Sequence, residues 1–238
     1  MPGKLQIFSL MAKVKFSALI SEMRNKLNGS VFARNRGGAY LRTKVTPLNP
    51  QSIAQVAARN LLTQFSQNWR SLTQAQRDAW NAAVSQFATT DVFGDVVNPT
   101  GATLYTRLNI NIANAGGTAI STPPAPQGAD ALSSLGITAT AAGSVFDVDF
   151  DPATVPANHT LVVESTPMLS PGISNASSQF RVIGSVAAAG TSPADLSAEQ
   201  IAKFGALVAG QKVFIRAKLI NKITGEVSQA ITASAIVG

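Results

Sequence analysis

The spacing of apolar residues along the chain changes character twice. From residue 11 to 48, short apolar pairs alternate with Lys and Arg and are interrupted by two turn signals, Asn28-Gly29 and Gly37-Gly38. Asn-Gly is the strongest short hairpin signal, because the tight turn between strands needs positive φ at both central positions. The pattern predicts an extended, ribbon-like arm over residues 1–48, with one or two hairpins and little core of its own. Side chains alternate in extended backbone, so Arg42 and Lys44 share one face while Leu41, Thr43 and Val45 take the other. Such a ribbon can lie on a partner with either its apolar side or its cations down.

From residue 49 the period becomes helical. Asn49-Pro50 reads as a helix start, Asn as cap and Pro at the first helical position. Ile53, Val56, Ala57, Leu61, Phe65, Trp69 and Leu72 then recur at helical spacing. Thr73 and Gln76 have the capping-box spacing that opens a second helix, whose apolar face is Ala79, Trp80, Ala83, Val84 and Phe87. The joint is so short that the two helices must bend sharply. Trp69, Leu72 and Trp80 are expected to pack that corner; at this spacing an indole serves more often as core than as a binding platform. Asp91–Pro99 reads as a loop. Thr100-Gly101 leads into a third helix carrying Leu104, Tyr105, Leu108 and Ile112, and Ala115-Gly116-Gly117 ends it. A helical domain over 49–117 results, followed by a Pro/Gly/Ala-rich linker at 118–130.

From residue 131 the period is two. Phe146, Val148 and Phe150 alternate with Asp147, Asp149 and Asp151, the mark of a half-buried strand. Leu161–Glu164, Phe180–Ser185, Lys212–Ile220 and Glu226–Val237 read as further strands, with Lys222–Gly225 as a turn and Ser197–Phe204 as a short helical crossover. Several short strands within ~100 residues predict a β-sandwich over 131–238. The fold class is α+β.

Composition sharpens this in two places. Hydrophobic residues make up 45% of the 238 and charged residues 13%, which excludes a disordered tail and allows two modules. The basicity is local: residues 1–60 carry ten Lys/Arg and a single acid, Glu22, whereas residues 121–238 carry six Lys/Arg and eight Asp/Glu. Cysteine is absent, which excludes disulfides, thiolate nucleophiles and Cys-based zinc sites and leaves the redox compartment open. No apolar run approaches the ~20 residues of a membrane-spanning helix, so no membrane partner is expected. Leu5–Leu10 is too short for a secretory signal, and Lys13 and Lys15 stand where a cleavage site belongs. Translation starting at Met1 and translation starting at Met11 are both compatible with the sequence, and synthesis as a soluble intracellular product is expected.

Candidate chemistry is sparse. Asp147, Asp149 and Asp151 have the spacing that opens a calcium loop, but Pro152 stands at the sixth position and Asn158 at the twelfth, where glycine and glutamate are required. They are expected to form an exposed acidic strand face, offset by basic neighbours such as Arg216 and Lys218. The lone histidine, His159, has no nucleophile elbow; at the start of a predicted strand beside the Pro156-Ala157-Asn158 turn, it is expected to have a surface or turn role. Gly37-Gly38 lacks the lysine and the strand–loop–helix frame of a phosphate loop. No catalytic residue, metal ligand or cofactor site is assigned, and a non-enzymatic protein is expected. The chemistry lies in the arm, where Arg34, Arg36, Arg42 and Lys44 accompany Tyr40. Cations and an aromatic suit nucleic acid. The same set suits docking on an acidic protein surface, with ordering on assembly. Docking on protein is the favoured expectation.

Two resemblances bear on this. Leu207–Ala217 resembles the segment that enters the sixth strand of fibronectin type III domains: Leu207, Gly210 and Ile215 match, while Ala209 and Val213 replace the usual proline and tyrosine. An immunoglobulin/fibronectin-like β-sandwich without the tyrosine-corner hydrogen bond is implied. The series Asn28–Val31, Arg34–Arg42, Val45–Pro50, Trp69–Thr73 and Gln76–Trp80 resembles a group of tailed-bacteriophage proteins with a basic Gly/Arg arm and a paired-Trp helical region. That resemblance spans residues 12–115 and implies a structural protein of the virion, made in the host bacterial cytoplasm. An auxiliary, decoration or minor head protein is the leading expectation. It would dock through Arg34, Arg36, Tyr40, Arg42 and Lys44 on capsid or neighbouring subunits, a second copy among them, and project its sandwich. A neck or tail adaptor or adhesin, and a nucleic-acid-binding virion protein, are the alternatives.

Overall fold

The computed structural model describes residues 11–16, 20, 22–45, 49–128 and 130–238. Leu5–Leu10, Met1, the arm residues 46–48 and residue 129 of the linker lie outside the described residues. The chain is mixed helix and sheet, with several antiparallel sheets.

The arm forms a sheet. Strands β1 (Met11–Lys13), β2 (Asn25–Leu27), β3 (Ser30–Asn35) and β4 (Gly38–Thr43) pair antiparallel in the order β1-β4-β3-β2. Asn28-Gly29 turns β2 into β3, with Asn28 at φ 50°. The second turn is Arg36-Gly37, one residue earlier than the Gly-Gly signal suggests, because Gly38 already pairs with Asn35. Pairing of β1 with β4 adds a non-local strand to what the local pattern reads as a ribbon. None of the described side chains in this sheet is fully buried.

The helical module comprises α1 (Ile53–Ser71), α2 (Gln74–Ala83) with a 3-10 turn (Val84–Phe87), and α3 (Gly101–Asn114). Helix α1 starts later than Asn49-Pro50 suggests. Gln51 sits at φ 48°, which ends any helix attempted before it, and Ser52 takes the cap, accepting from the Gln55 N–H. The Thr73/Gln76 capping box forms in full at the head of α2. The segment read as a loop contains a small hairpin, β5 (Thr89–Thr90) with β6 (Val96–Val97). Phe65, Trp80, Leu104, Tyr105 and Leu108 form the module's core. Residues 53–60, the first half of α1, are exposed on every side, Ile53 at 91%.

Seven strands follow: β7 (Ser134–Thr140), β8 (Val145–Asp151), β9 (His159–Ser165), β10 (Arg181–Val186), β11 (Ala194–Asp195), β12 (Lys212–Asn221) and β13 (Ile231–Ile236). Helix α4 (Ser197–Phe204) lies between β11 and β12. One sheet has the order β11-β8-β7, the other β10-β9-β12-β13. Phe146, Val148 and Phe150 of β8 meet Leu161 and Val163 of β9 and Val213, Ile215 and Leu219 of β12 in one shared core. Burying each such side chain stabilises the unit by roughly 1.5–3 kcal/mol before conformational entropy is counted.

The two modules touch through α3. Ala115, Val162 and Ile220 form a small apolar cluster, Thr160 Oγ1 donates to Ala115 O at 3.0 Å, and Asn111 Nδ2 donates to Gly225 O at 2.8 Å. Residues 118–128 have no regular structure but are anchored to both sides. Ile120 N–H donates to Asn109 Oδ1 at 2.7 Å, and Gln127 N–H donates to Glu226 Oε2 at 3.0 Å.

Two expectations about side chains are corrected. His159 does start β9 directly after the turn at 157–158, but it is buried, not at the surface: its backbone pairs with Asn221 at the end of β12, and its Nδ1 lies 2.9 Å from Ala157 O. Arg216 and Lys218 do not offset the β8 aspartates. They lie on the four-stranded sheet, whereas those aspartates are on the other sheet, and both cations pair with Glu164.

Candidate functional site

Register divides the N-terminal sheet into two chemically different faces, since residues paired across antiparallel strands project to the same side. Val31 pairs with Lys26 and Arg42, and Tyr40 pairs with Ala33 and Lys13. One face therefore carries Lys13, Lys26, Tyr40 and Arg42. Phe32 pairs with Asn25 and Leu41, and Arg34 with Ala39. The opposite face carries Leu27, Phe32, Leu41 and Ala39, with Arg34 as its one cation. Phe32 and Leu41 are half-buried and Leu27 is 61% exposed.

The five arm residues singled out by the sequence thus fall into three places. Tyr40 and Arg42 share the cationic face, half-buried on β4, and Lys44 continues their line just past the strand, its N–H donating to Gly29 O at 2.8 Å. Arg36 occupies the exposed β3–β4 turn. Arg34 is on the apolar face, with Glu22 within 3.5 Å. Arg24 also pairs with Glu22 at 2.8 Å, and its hydrogen bond, aided by Arg34, holds the Glu22 carboxyl below the usual glutamate range. Among the described residues Arg36, Arg42 and Lys44 have no ion-pair partner within the chain.

Sequence reasoning missed how the sheet is tied to the helical module. Lys13 pairs with Asp91, and Lys15 reaches Asp95 at 3.9 Å. Both ammonium groups sit over the Phe93 ring, at 5.9 and 5.3 Å from its centre. Asp91 also accepts from the backbone N–H of Phe93 and of Asp95. The Lys13 hydrogen bond comes first and these N–H groups follow, and together they hold its carboxyl below the ordinary aspartate range. The available signal was the pair Asp91 and Asp95 around Phe93 and Gly94, an acidic turn in a stretch otherwise free of acids.

The helical platform is organised around Tyr105. The ring of Trp80 meets it edge-on at 5.4 Å, Phe65 at 6.4 Å, and Trp69 lies tilted at 5.6 Å. Trp80 is fully buried and donates its indole N–H to Ser121 O at 2.9 Å. Trp69 and Leu72 are half-buried against the same core, Leu72 as the cap residue that closes α1.

Asp147, Asp149 and Asp151 lie along β8 opposite its buried face, so they form a line and do not curl around a cation. Among the described residues no group of three or more His, Asp or Glu is placed to hold a metal, and no helix is long and apolar enough to cross a membrane. A cleft of about 720 Å³ opens between the exposed half of α1 and the outer face of the four-stranded sheet. Ala57, Leu61, Ile110, Val182, Lys218 and Ile220 are among its lining residues. The chain matches no family model, no curated protein and no solved structure.

Proposed function

We propose that this chain is a structural protein of a bacteriophage virion, a non-enzymatic auxiliary or decoration component of the head that docks through its N-terminal half. The observation that carries the reading is the uncovered state of that half. Among the described residues, a sheet with no fully buried side chain on either face and a half-helix of mostly apolar residues, exposed on all sides, are surfaces that a chain normally buries. The apolar sheet face of Leu27, Phe32 and Leu41 and the helix residues Ile53, Val56 and Ala57 offer the desolvated centre that a stable protein interface needs. An interface of roughly 1,200–2,000 Å² is the usual size for a stable complex.

The C-terminal module is, in the same proposal, an immunoglobulin/fibronectin-like sandwich that projects from the docked half. Its pairing supports this: first strand with second, second with fifth, third with fourth and sixth, sixth with seventh. The constant immunoglobulin layout differs only in placing the fourth strand beside the fifth. The segment that resembles the approach to a fibronectin sixth strand, Leu207–Ala217, leads into β12, the sixth strand here.

The test is location. Mass-spectrometric stoichiometry of purified particles, followed by cryo-electron microscopy, is expected to give a high copy number with residues 12–115 ordered against the shell. A copy number of a few moves the protein to neck or tail, and absence from particles overturns the virion reading.

A further inference from the structure

We infer that the cationic face of the N-terminal sheet binds the phosphate backbone of DNA, leaving the apolar face for protein. The four docking cations named by the sequence do not act as one set, because register puts Arg34 on the far side with Glu22. What remains on the near side is a coherent surface. Lys26, Val31 and Arg42 stand in one row on three adjacent strands, which places the two cations ~10 Å apart. Tyr40, Arg42 and Lys44 follow one another at alternate positions, ~7 Å apart, and Arg36 stands at the tip of the same hairpin. Lys13 belongs to this face but is already neutralised by Asp91 at its edge.

Two features favour nucleic acid over an acidic protein here. Protein interfaces are depleted in lysine, whereas this face sets Lys26 and Lys44 around Arg42 and leaves an apolar alternative on its back. Among the described residues of the four strands there is no acidic side chain; of the nearby acids, Glu22 is paired on the other side, and Asp91 and Asp95 stand at the Lys13 edge, engaged by Lys13 and Lys15. The face therefore presents fixed cations to a phosphate backbone, and Tyr40, beside the small Ala33, offers a ring on which an unpaired base can stack. Contacts to phosphates carry no sequence information, so binding through this face is indifferent to sequence.

This inference does not depend on the virion reading, and its test uses the purified full chain. Fluorescence anisotropy is measured with a labelled 25-base-pair duplex and a labelled 25-base single strand, both of mixed sequence, between 50 and 200 mM NaCl. Neutralising three phosphates predicts a log–log salt slope of about −2.7 on the duplex, and so a roughly 40-fold loss of affinity across that range, and about −2.1, roughly 18-fold, on the single strand. The triple variant Lys26→Glu/Arg42→Glu/Lys44→Glu is expected to abolish binding, and Arg42→Lys to keep most of it. Lys203→Glu, an exposed charge reversal on the other module, is expected to change little. Tyr40→Ala is expected to weaken the single strand roughly tenfold and the duplex less. Near-UV circular dichroism of each variant checks that the fold is intact. Absence of binding at 50 mM NaCl, or wild-type affinity in the triple variant, overturns the assignment. So does equally tight binding of a labelled poly-glutamate peptide, which would make this a surface for acidic protein. Particle composition decides the virion reading separately: a chain that enters particles but ignores DNA fails only this inference.

Discussion

Arg216 and Glu164 face one another on the central strand pair of the four-stranded sheet, the guanidinium Nε donating to Glu164 Oε2 at 2.8 Å. Lys218, two residues along β12, reaches the other carboxylate oxygen at 3.3 Å, and Arg216 also lies over the Phe180 ring at 4.6 Å. One carboxylate thus neutralises two cations that alternate on a single strand face. The Glu164 side chain is only 10% exposed, while its partners are about a third exposed. Glu164→Gln is expected to cost about 1–2 kcal/mol, reduced from the fully buried case by solvent around the cations. A second substitution, Arg216→Met, is expected to recover part of that loss, because the uncompensated charge goes with it. Urea unfolding of both variants and of the double variant measures the coupling; strict additivity would mean the pair does not interact.

Trp80 gives a local readout of the helical module. Both tryptophans of the chain, Trp69 and Trp80, lie in that core, so tryptophan fluorescence follows its unfolding alone. Trp80→Phe leaves the Ser121 carbonyl without its indole donor and is expected to lower stability by about 1–3 kcal/mol. Trp80→Ala adds a large cavity and is expected to cost about 3–5 kcal/mol. Since Ser121 lies within the irregular segment after α3, Trp80→Phe is also expected to speed proteolysis within residues 118–128.

Gly225 lies at a tight contact between the two modules. It sits at φ +75°, and a Cβ there would stand 2.4 Å from Leu108 O on the α3 backbone. Neither the conformation nor the space admits a side chain. Gly225→Ala is expected to destabilise by roughly 1–3 kcal/mol. Hydrogen exchange is expected to rise in α3 and at the end of β12, and not in β7 or β8. A rise confined to residues 221–231, with α3 unchanged, would show that the strain stays inside the β12–β13 turn.

Local signals were legible and long-range pairings were not. The Thr73/Gln76 capping box, the span of α4 and the alternation of β8 each depend on residues close in sequence, and each appears where the pattern puts it. The N-terminal strands read as an open ribbon because the pairing of β1 with β4 joins residues about thirty positions apart, and no local pattern encodes it. His159 looked exposed because Asn158 and Pro156 are turn formers, yet β12 arrives alongside and covers it. The partners of Arg216 and Lys218 were misread for the same reason: three aspartates on β8 are conspicuous in sequence, but sheet order alone decides that Glu164 is the neighbour. The arm cations were visible as a set, whereas their division between two faces required the register.

The tie between the basic sheet and the helical module is expected to depend on pH. Asp91 is held below the ordinary aspartate range first by Lys13, then by the N–H groups of Phe93 and Asp95, with partial desolvation opposing. A carboxylate whose folded value is depressed stabilises the folded contact above its unfolded value. That contribution is lost as pH falls through the folded value, hence below about pH 4. Protonation of Asp91 removes the negative partner and breaks the pair. Acidification below about pH 4 is expected to release the sheet progressively, seen as faster amide exchange at Lys13 and Val14, whose N–H donates to Ala39 O. Asp91→Asn is expected to produce the same exchange at pH 7 and to flatten the pH dependence. A wild-type acid response persisting unchanged in Asp91→Asn would assign it to Glu22, whose carboxyl is depressed by Arg24 and Arg34 within the sheet itself. Glu22→Gln then serves as the deciding variant, because it removes that response while leaving Lys13 on Asp91.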